Sequence, residues 1–351
     1  MKLVTRSSLI FFCFSFIVPQ VKLSAQTQRK IEFPDLTDYH TLIADLHQHT
    51  VFSDGSVWPD IRVKEALFDG VDVIALTEHL EYQPHQKDLP HKDRNRSYKL
   101  AKEYAKNHEL IVIHGAEITR DLPPGHSNAL FIQDANQLVH DDYMDAFREA
   151  KKQGAFIFWN HPNWVGQNKQ GITKLSPIHE TLIKEGLLHG VEVTNENTFA
   201  DQALTIANEN ELTILGTSDI HELIDWLFDI PGGGHRPVTL VFVKERSEIG
   251  VKDALFDGRT VAWYKNSLIG QEKYLIPLIE SSLVVDTAYY QMYGNKETQI
   301  ANVVIFNHSD ATYLLNNESD FSFYHATDVI QLNPQTSTTL SVKTIKSLSS
   351  F

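Results

Sequence analysis

The sequence predicts an α/β fold, a barrel or a doubly wound sheet, with a small β-rich module after it. Three observations carry that reading: seven short apolar runs recur between residues 41 and 217, helical stretches lie between them, and the texture changes after about residue 262. The runs are Thr41–His47, Val71–Thr77, Leu110–Glu117, Asn128–Ile132, Ala155–Trp159, Gly190–Thr194 and Leu212–Thr217. Most are continuously apolar, as parallel strands buried on both faces are. Between them, Tyr98, Ala101 and Ala105 recur at helical spacing within Arg96–His108, and Tyr143, Phe147 and Ala150 within Asp141–Gln153. Further on, Val284–Tyr290, Asn302–Phe306, Thr312–Leu315 and Thr339–Lys343 read as short strands. Gly294-Asn295, Asn307-His308-Ser309-Asp310 and Asn316-Asn317 separate them, the pattern of a small antiparallel, sandwich-like sheet. The Ser/Thr-rich end from Ser337 is expected to fray.

The chain of 351 residues has room for two domains. Its first 25 residues read as a leader rather than as fold. Lys2 and Arg6 precede the apolar run Leu9 to Val18, and Leu23-Ser24-Ala25 offers small residues for cleavage before Gln26. A run of that length falls short of the roughly 20 residues a membrane span needs. The expected division is a signal peptide over 1–25, an α/β unit over 26–262 and the β-rich module over 263–351, with the mature chain secreted or periplasmic and without a membrane span. Cys13 is the one cysteine and lies in the leader, so thiolate ligands and disulfides are excluded from the mature protein. The composition is acidic, with 45 Asp and Glu against 31 Lys and Arg. Such a surface repels a nucleic acid polymer and makes a small molecule the expected partner.

The chemistry-bearing residues stand at or just beyond the ends of the strand candidates. The first run leads into His47, Gln48, His49 and then Asp54. In an extended chain, positions i and i+2 share a face, so the two imidazoles can grip one cation. The second run ends in Thr77-Glu78-His79 and the third in Gly115-Ala116-Glu117. His126 precedes the fourth, Asn160-His161-Pro162 follows the fifth, and Ser218-Asp219-Ile220-His221 follows the last. Each has an ordinary reading of its own, as a capping, core or loop residue. In a parallel barrel, however, all of these positions converge on one rim. Imidazoles and carboxylates together suit Zn, Mn or Fe.

Taken together, Asp45-Leu46-His47-Gln48-His49-Thr50, Thr77-Glu78-His79, Gly115-Ala116-Glu117, His161-Pro162 and Ser218-Asp219-Ile220-His221 resemble the motif signature of the polymerase and histidinol phosphatase (PHP) superfamily. The resemblance covers roughly residues 41–260. It implies a distorted seven-stranded β/α barrel carrying three divalent transition-metal ions. It also implies that His47, His49, Glu117 and Asp219 hold the first ion, that Glu117 bridges to a second completed by His126 and His161, and that Asp54, His79 and His221 hold the third.

Clustered cations suit phosphate ester hydrolysis, because they neutralise phosphate oxygens and lower the pKa of a water. The expected activity is an exported metal-dependent phosphoesterase acting on a small phosphomonoester or phosphodiester. Histidinol-phosphate phosphatase is the enzymatic alternative, and the leader argues against its cytosolic substrate. A non-catalytic periplasmic metal-binding protein is the alternative outside enzymology. Arg120, three residues past Glu117, is a candidate phosphate contact, as are Arg236 and His235 after the turn Pro231-Gly232-Gly233-Gly234.

Overall fold

The computed structural model describes residues 30–344. The signal-peptide expectation lies outside the described residues. The largest element is an eleven-stranded mixed sheet. Its strands are β1 (His40–Asp45), β2 (Val73–Leu76), β3 (Ile111–Ile118), β4 (Ser127–Leu130), β5 (Phe156–Trp159), β6 (Gly190–Asn195), β7 (Thr198–Phe199), β8 (Thr213–Thr217), β9 (Val238–Val243), β10 (Thr260–Tyr264) and β11 (Ser267–Gly270). The order is β11-β10-β9-β1-β2-β3-β4-β5-β6-β7, with β8 paired to β6. The β1–β2, β2–β3, β5–β6 and β6–β8 pairs are parallel, whereas β4 runs antiparallel between β3 and β5. All seven expected runs form strands. The sheet is larger because β7 pairs antiparallel to β6, and because β9, β10 and β11 extend the β1 edge, each antiparallel to its neighbour.

The sheet curls into a half-barrel, and side chains rather than a backbone ladder draw its ends together. The Thr239 hydroxyl of β9 accepts from Gly216 N at 3.0 Å and donates to Gly216 O at 2.8 Å. The Thr260 hydroxyl of β10 donates to Ile214 O at 2.7 Å. Gly216 permits this approach: a Cβ there would lie 2.6 Å from Thr194 Oγ1 and 3.0 Å from Ala262 Cβ.

The helices are α1 (Pro59–Asp69), α2 (Arg96–Ala105), α3 (Tyr143–Lys152), α4 (Pro177–Lys184), α5 (Asp201–Glu209), α6 (Ile224–Phe228), α7 (Glu248–Phe256) and α8 (Glu272–Ser282). Alternation along β1 explains why its apolar run is continuous. Leu42, Ala44 and Leu46 meet Val73, Phe156, Phe158, Leu215, Val241 and the Val251 and Leu255 side chains of α7. Ile43 packs instead with Val63 and Ala66 of α1 and Ala101 of α2. Both faces are covered, so neither needs polar residues. The two helices read from spacing appear as α2 and α3. Asp142 caps α3 by accepting from Met144 N at 2.8 Å.

The C-terminal β-rich module contains a three-stranded antiparallel sheet of β12 (Leu283–Tyr293), β13 (Lys296–Asn307) and β16 (Ser337–Lys343), and a β14 (Tyr313–Asn316)–β15 (Val329–Leu332) hairpin. Tyr313, Ile330, Leu332 and Leu340 form its core, against which Phe33 and Leu268 of the preceding unit pack. The expected boundary at 262/263 falls inside β10, and the large sheet continues to Gly270. The expected fraying is corrected over Ser337–Lys343, where β16 pairs along β13 and its hydroxyl side chains do not prevent that ladder; for 345–351 the expectation lies outside the described residues.

Candidate metal centre

The strand ends deliver their polar residues to one place. His47 and His49 follow β1, and Asp54 sits on the loop beyond them. His79 follows β2, Glu117 lies near the end of β3, His126 precedes β4, His161 follows β5, and Asp219 and His221 follow β8. Backbone contacts stitch these ends together: His49 N donates to Ile220 O and Thr77 N to Gln48 O, both at 3.0 Å. Leu80 N and Glu117 N tie the β2 and β3 ends through Glu117 O and Glu78 O.

Glu117 is central and fully buried. Its Oε1 lies 2.9 Å from His126 Nδ1 and 3.7 Å from His161 Nε2. Its Oε2 lies 2.8 Å from His79 Nδ1, 3.4 Å from His49 Nε2 and 3.7 Å from His47 Nε2. Asp219 Oδ1 stands 3.1 and 3.2 Å from Nε2 of His47 and His49, which are themselves 3.0 Å apart. Asp54 approaches His79 and His221 at 3.3 Å and His49 at 3.6 Å. The ligand atoms form three groups whose members lie within 4.8 Å of one another: His49, Asp54, His79 and His221; His47, His49 and Asp219; His79, Glu117 and His126. The resemblance places His49 with His47, Glu117 and Asp219 alone, and His79 with Asp54 and His221 alone. In the structure both residues are shared between groups, and His161 lies at 3.7 and 3.9 Å from Glu117 and Asp219.

These residues fit a metal. Asp54 Oδ1, Glu117 Oε2, Asp219 Oδ1 and His126 Nδ1 are buried and close to other polar atoms, yet none makes a hydrogen bond. Buried polar atoms that go without partners call for an explanation, and lone pairs converging on shared points are what cation ligands present. The backbone bears this out in cost. His161 has φ 28° and Asp219 φ 49°, in the left-handed region that residues with a Cβ rarely adopt. Each such residue costs about 1–3 kcal/mol and is held by its surroundings.

Charge is arranged to match. Burial would raise the carboxyls of Asp54, Glu117 and Asp219, but the imidazoles around them outweigh it and keep all three well below the ordinary range. Burial opposes a proton on His79, but Glu117 and Asp54 overcome it and raise the ring to about 10. His221 goes to about 9 against the same opposition, through Asp54 and Asp219. His49 takes the other direction: burial, with His221 and His79 nearby, pushes it down to about 3.

A solved structure of a two-domain protein from Bacteroides vulgatus, described as containing a predicted PHP-like metal-dependent phosphoesterase, is 41% identical to this chain. The match covers 93% of this chain and 92% of that one, with a TM-score of 0.83. The chain belongs to the PHP-like metal-dependent phosphoesterases. Residues 283–351 also match a family described as an Ig-like domain. A candidate metal-dependent phosphoesterase from Bifidobacterium adolescentis shares 20% identity over 51% of this chain and 87% of its own, at TM-score 0.39. PsfC from Pseudomonas syringae shares 17% over 69% and 96%, at TM-score 0.45. No curated protein matches.

In this PHP-like protein the residues that support the cluster escape sequence reading. Glu192, buried in β6, accepts from the His47 ring at 2.8 Å, from His161 N at 2.6 Å, from Asn195 at 2.8 Å and from Thr217 at 2.6 Å. It thereby turns Nε2 of His47 towards the cluster and holds the strained His161 backbone. A lone carboxylate within the apolar Gly190–Thr194 run was its available signal. Glu78 accepts from Thr50 N, Thr50 Oγ1, Ser53 and Ser97, and so fixes the loop that carries Asp54. Arg62 donates to His49 O at 2.9 Å and Ile220 O at 3.2 Å, bridging two of the ligand-bearing loops.

The three expected substrate contacts are each engaged with other groups of the chain. Arg236 is fully buried and directed to Asp45 at 3.1 Å and Asp69 at 2.6 Å. Asp45 in turn accepts from Ser218 N and Oγ at 3.1 and 2.6 Å. Arg236 therefore supports the turn before Asp219 and cannot reach a ligand. His235 stacks on Trp263 at 3.5 Å, and its ring nitrogens reach the carbonyls of Arg236 and Lys265. Arg120 pairs with Glu81 at 2.8 Å and donates to the carbonyls of His140 and Asp141.

Proposed function

We propose that this chain is an exported phosphoesterase that hydrolyses a small phosphomonoester or phosphodiester, with three divalent ions of Zn, Mn or Fe held by the nine cluster residues. The observation that carries the reading is Glu117, a buried carboxylate with both oxygens against five imidazoles. One carboxylate so placed suits a bridge between neighbouring cations. Bound there, the ions would supply charge for the phosphate oxygens and lower the pKa of a water. The chain's own contribution is orientation. Glu192 sets the His47 ring, Asp45 and Arg236 set the turn into Asp219, and Glu78 sets the Asp54 loop. The acidic surface and the absence, among the described residues, of a helix long and apolar enough to cross a membrane agree with a small diffusing substrate.

Elemental analysis of gently purified protein, followed by assays on an aryl phosphate and a bis-aryl phosphate with and without chelator, tests this. Hydrolysis that disappears on chelation and returns with metal is expected. A protein that binds metal and hydrolyses neither ester class would be a metal-binding protein instead. Export is tested by mass spectrometry of the N-terminus, where a start near Gln26 is expected and an intact Met1 in the cytosol of the native host would reject it.

A further inference from the structure

Beside the cluster imidazoles stand aromatic side chains rather than cationic ones. Trp164 lies against two of the rings, 5.3 Å from His161 at 70° and 5.8 Å from His126 at 53°. Tyr82 stands edge-on to His79 at 5.8 Å and 74°. The His79 and His126 rings are 5.5 Å apart, so both aromatic residues neighbour one part of the cluster. Each remains about half exposed, at 47% for Trp164 and 52% for Tyr82. Elsewhere the fold buries large aromatic residues when packing needs them, as Trp159 and Trp263 show at 1% each.

Trp164 is also held in place. Its N–H donates to His161 O at 2.8 Å, and its carbonyl accepts from Gln167 N and Asn168 N at 3.2 and 2.8 Å. Gly166 completes the seat. A Cβ there would stand 2.5 Å from Cζ2 of the indole, so glycine lets the ring lie against the backbone. Among the described residues, no lysine or arginine forms an ion pair with any of the nine cluster residues. Arg120 pairs with Glu81 at 2.8 Å. The surroundings therefore offer ring faces and edges to the part of a substrate beyond its phosphate.

We propose that Trp164 and Tyr82 bind the alcohol portion of the substrate and select phosphoesters that carry a planar aromatic ring close to the ester oxygen. The proposal rests on the phosphoesterase reading above. A phosphate at the cluster leaves its ester substituent beside these two side chains, within the 4.5–7 Å over which aromatic rings pair.

The test compares benzyl, cyclohexylmethyl and ethyl phosphate on the metal-loaded full chain. All three release a primary alkoxide, so the comparison reads the group beyond the ester rather than phenolate leaving ability. Wild type should prefer benzyl phosphate. Trp164→Ala and Tyr82→Ala should each narrow the benzyl-to-ethyl ratio of kcat/KM by about 2- to 10-fold. Trp164→Phe should restore part of that ratio, and Gly166→Ala, which tilts the indole, should narrow it as well. Equal losses on all three substrates would overturn the proposal and leave Trp164 as a support for His126 and His161. Equal use of benzyl and cyclohexylmethyl phosphate would also overturn it, since size alone would then be read. If wild type hydrolyses none of them and the bis-aryl phosphate is untouched as well, the phosphoesterase reading is what fails. Calorimetric binding of benzylphosphonate and ethylphosphonate then decides the clamp: tighter benzyl binding that depends on Trp164 upholds it, and equal binding rejects it.

Discussion

Glu117 and Asn307 are both buried polar side chains, and their surroundings treat them in opposite ways. Asn307, at the end of β13, has its amide nitrogen 2.8 Å from Ala311 O and 3.0 Å from Asn333 O. Its carbonyl oxygen accepts from Ser309 N and Ser309 Oγ at 3.0 and 2.8 Å. Donors meet acceptors throughout, and the turn Asn307-His308-Ser309-Asp310 is pinned. Glu117 Oε2 is surrounded by imidazole nitrogens at 2.8, 3.4 and 3.7 Å and makes no hydrogen bond. A satisfied buried network stabilises a fold; a buried cluster with its lone pairs turned inward is built for a ligand. The turn after β13 and the metal centre thus use buried polarity for different ends.

The sharpest way to break that contrast is to neutralise each residue. Glu117→Gln keeps shape and burial but removes the central negative charge. Elemental analysis should find most of the metal gone and hydrolysis gone with it, while circular dichroism stays native. Retained metal and activity would remove Glu117 from the centre. Glu192→Gln should act through His47 and His161 and weaken metal affinity about 10- to 100-fold, read by competition with a chromogenic chelator. Asn307→Ala should do the reverse of Glu117→Gln: it should lower unfolding free energy by about 1–3 kcal/mol in denaturant titrations, with metal content unchanged.

The pH dependence sharpens the same comparison. In the metal-free protein His79 and His221 are raised to about 10 and 9, above the ordinary imidazole value of 6.5. A raised folded-state pKa contributes stability that is fully present below about 6.5 and is lost as pH climbs through the folded value. Metal-free protein should therefore unfold at progressively lower denaturant from pH 6.5 to 10. Metal-loaded protein should not follow it, because coordination already requires neutral rings. Coincident pH profiles for the two forms would contradict the arrangement. The smallest expected effect is that of Arg120→Ala, which breaks a pair with Glu81 outside the cluster. Its kcat/KM should stay near wild type, and a large loss would return Arg120 to the substrate.

Much of this site was legible because its signals are local. His47 and His49 sit one residue apart at the end of an apolar run, and Thr77-Glu78-His79 and Ser218-Asp219-Ile220-His221 repeat that placement at two more strand ends. Local spacing is preserved on folding, so it can be read in advance. Arg236 was misread for the converse reason. A glycine-rich turn beside an arginine has the texture of an anion site, but two carboxylates distant in sequence, Asp45 and Asp69, take the guanidinium. Strand β9 was overlooked although five of its six residues are apolar, because Lys244, Glu245 and Arg246 follow it rather than a histidine motif like those after β1, β2, β5 and β8. The antiparallel direction of β4 was likewise invisible, since strand direction is set by which edge a segment docks on and not by its composition.

By itself the sequence determined the alternation of apolar runs and helices, the order in which nine metal-competent residues reach one rim, and the change to a β-rich module. These follow from periodicity and from side-chain chemistry, which act over a few residues at a time. Only the tertiary structure decided that the sheet curls as a half-barrel tied by Thr239 and Thr260. It also decided that Glu192 orients His47 from 145 residues away, that His49 and His79 are shared between groups of ligand atoms, and that Trp164 lies beside the cluster. Those outcomes depend on which distant surfaces exclude water from one another, and that is settled only when the whole chain has packed.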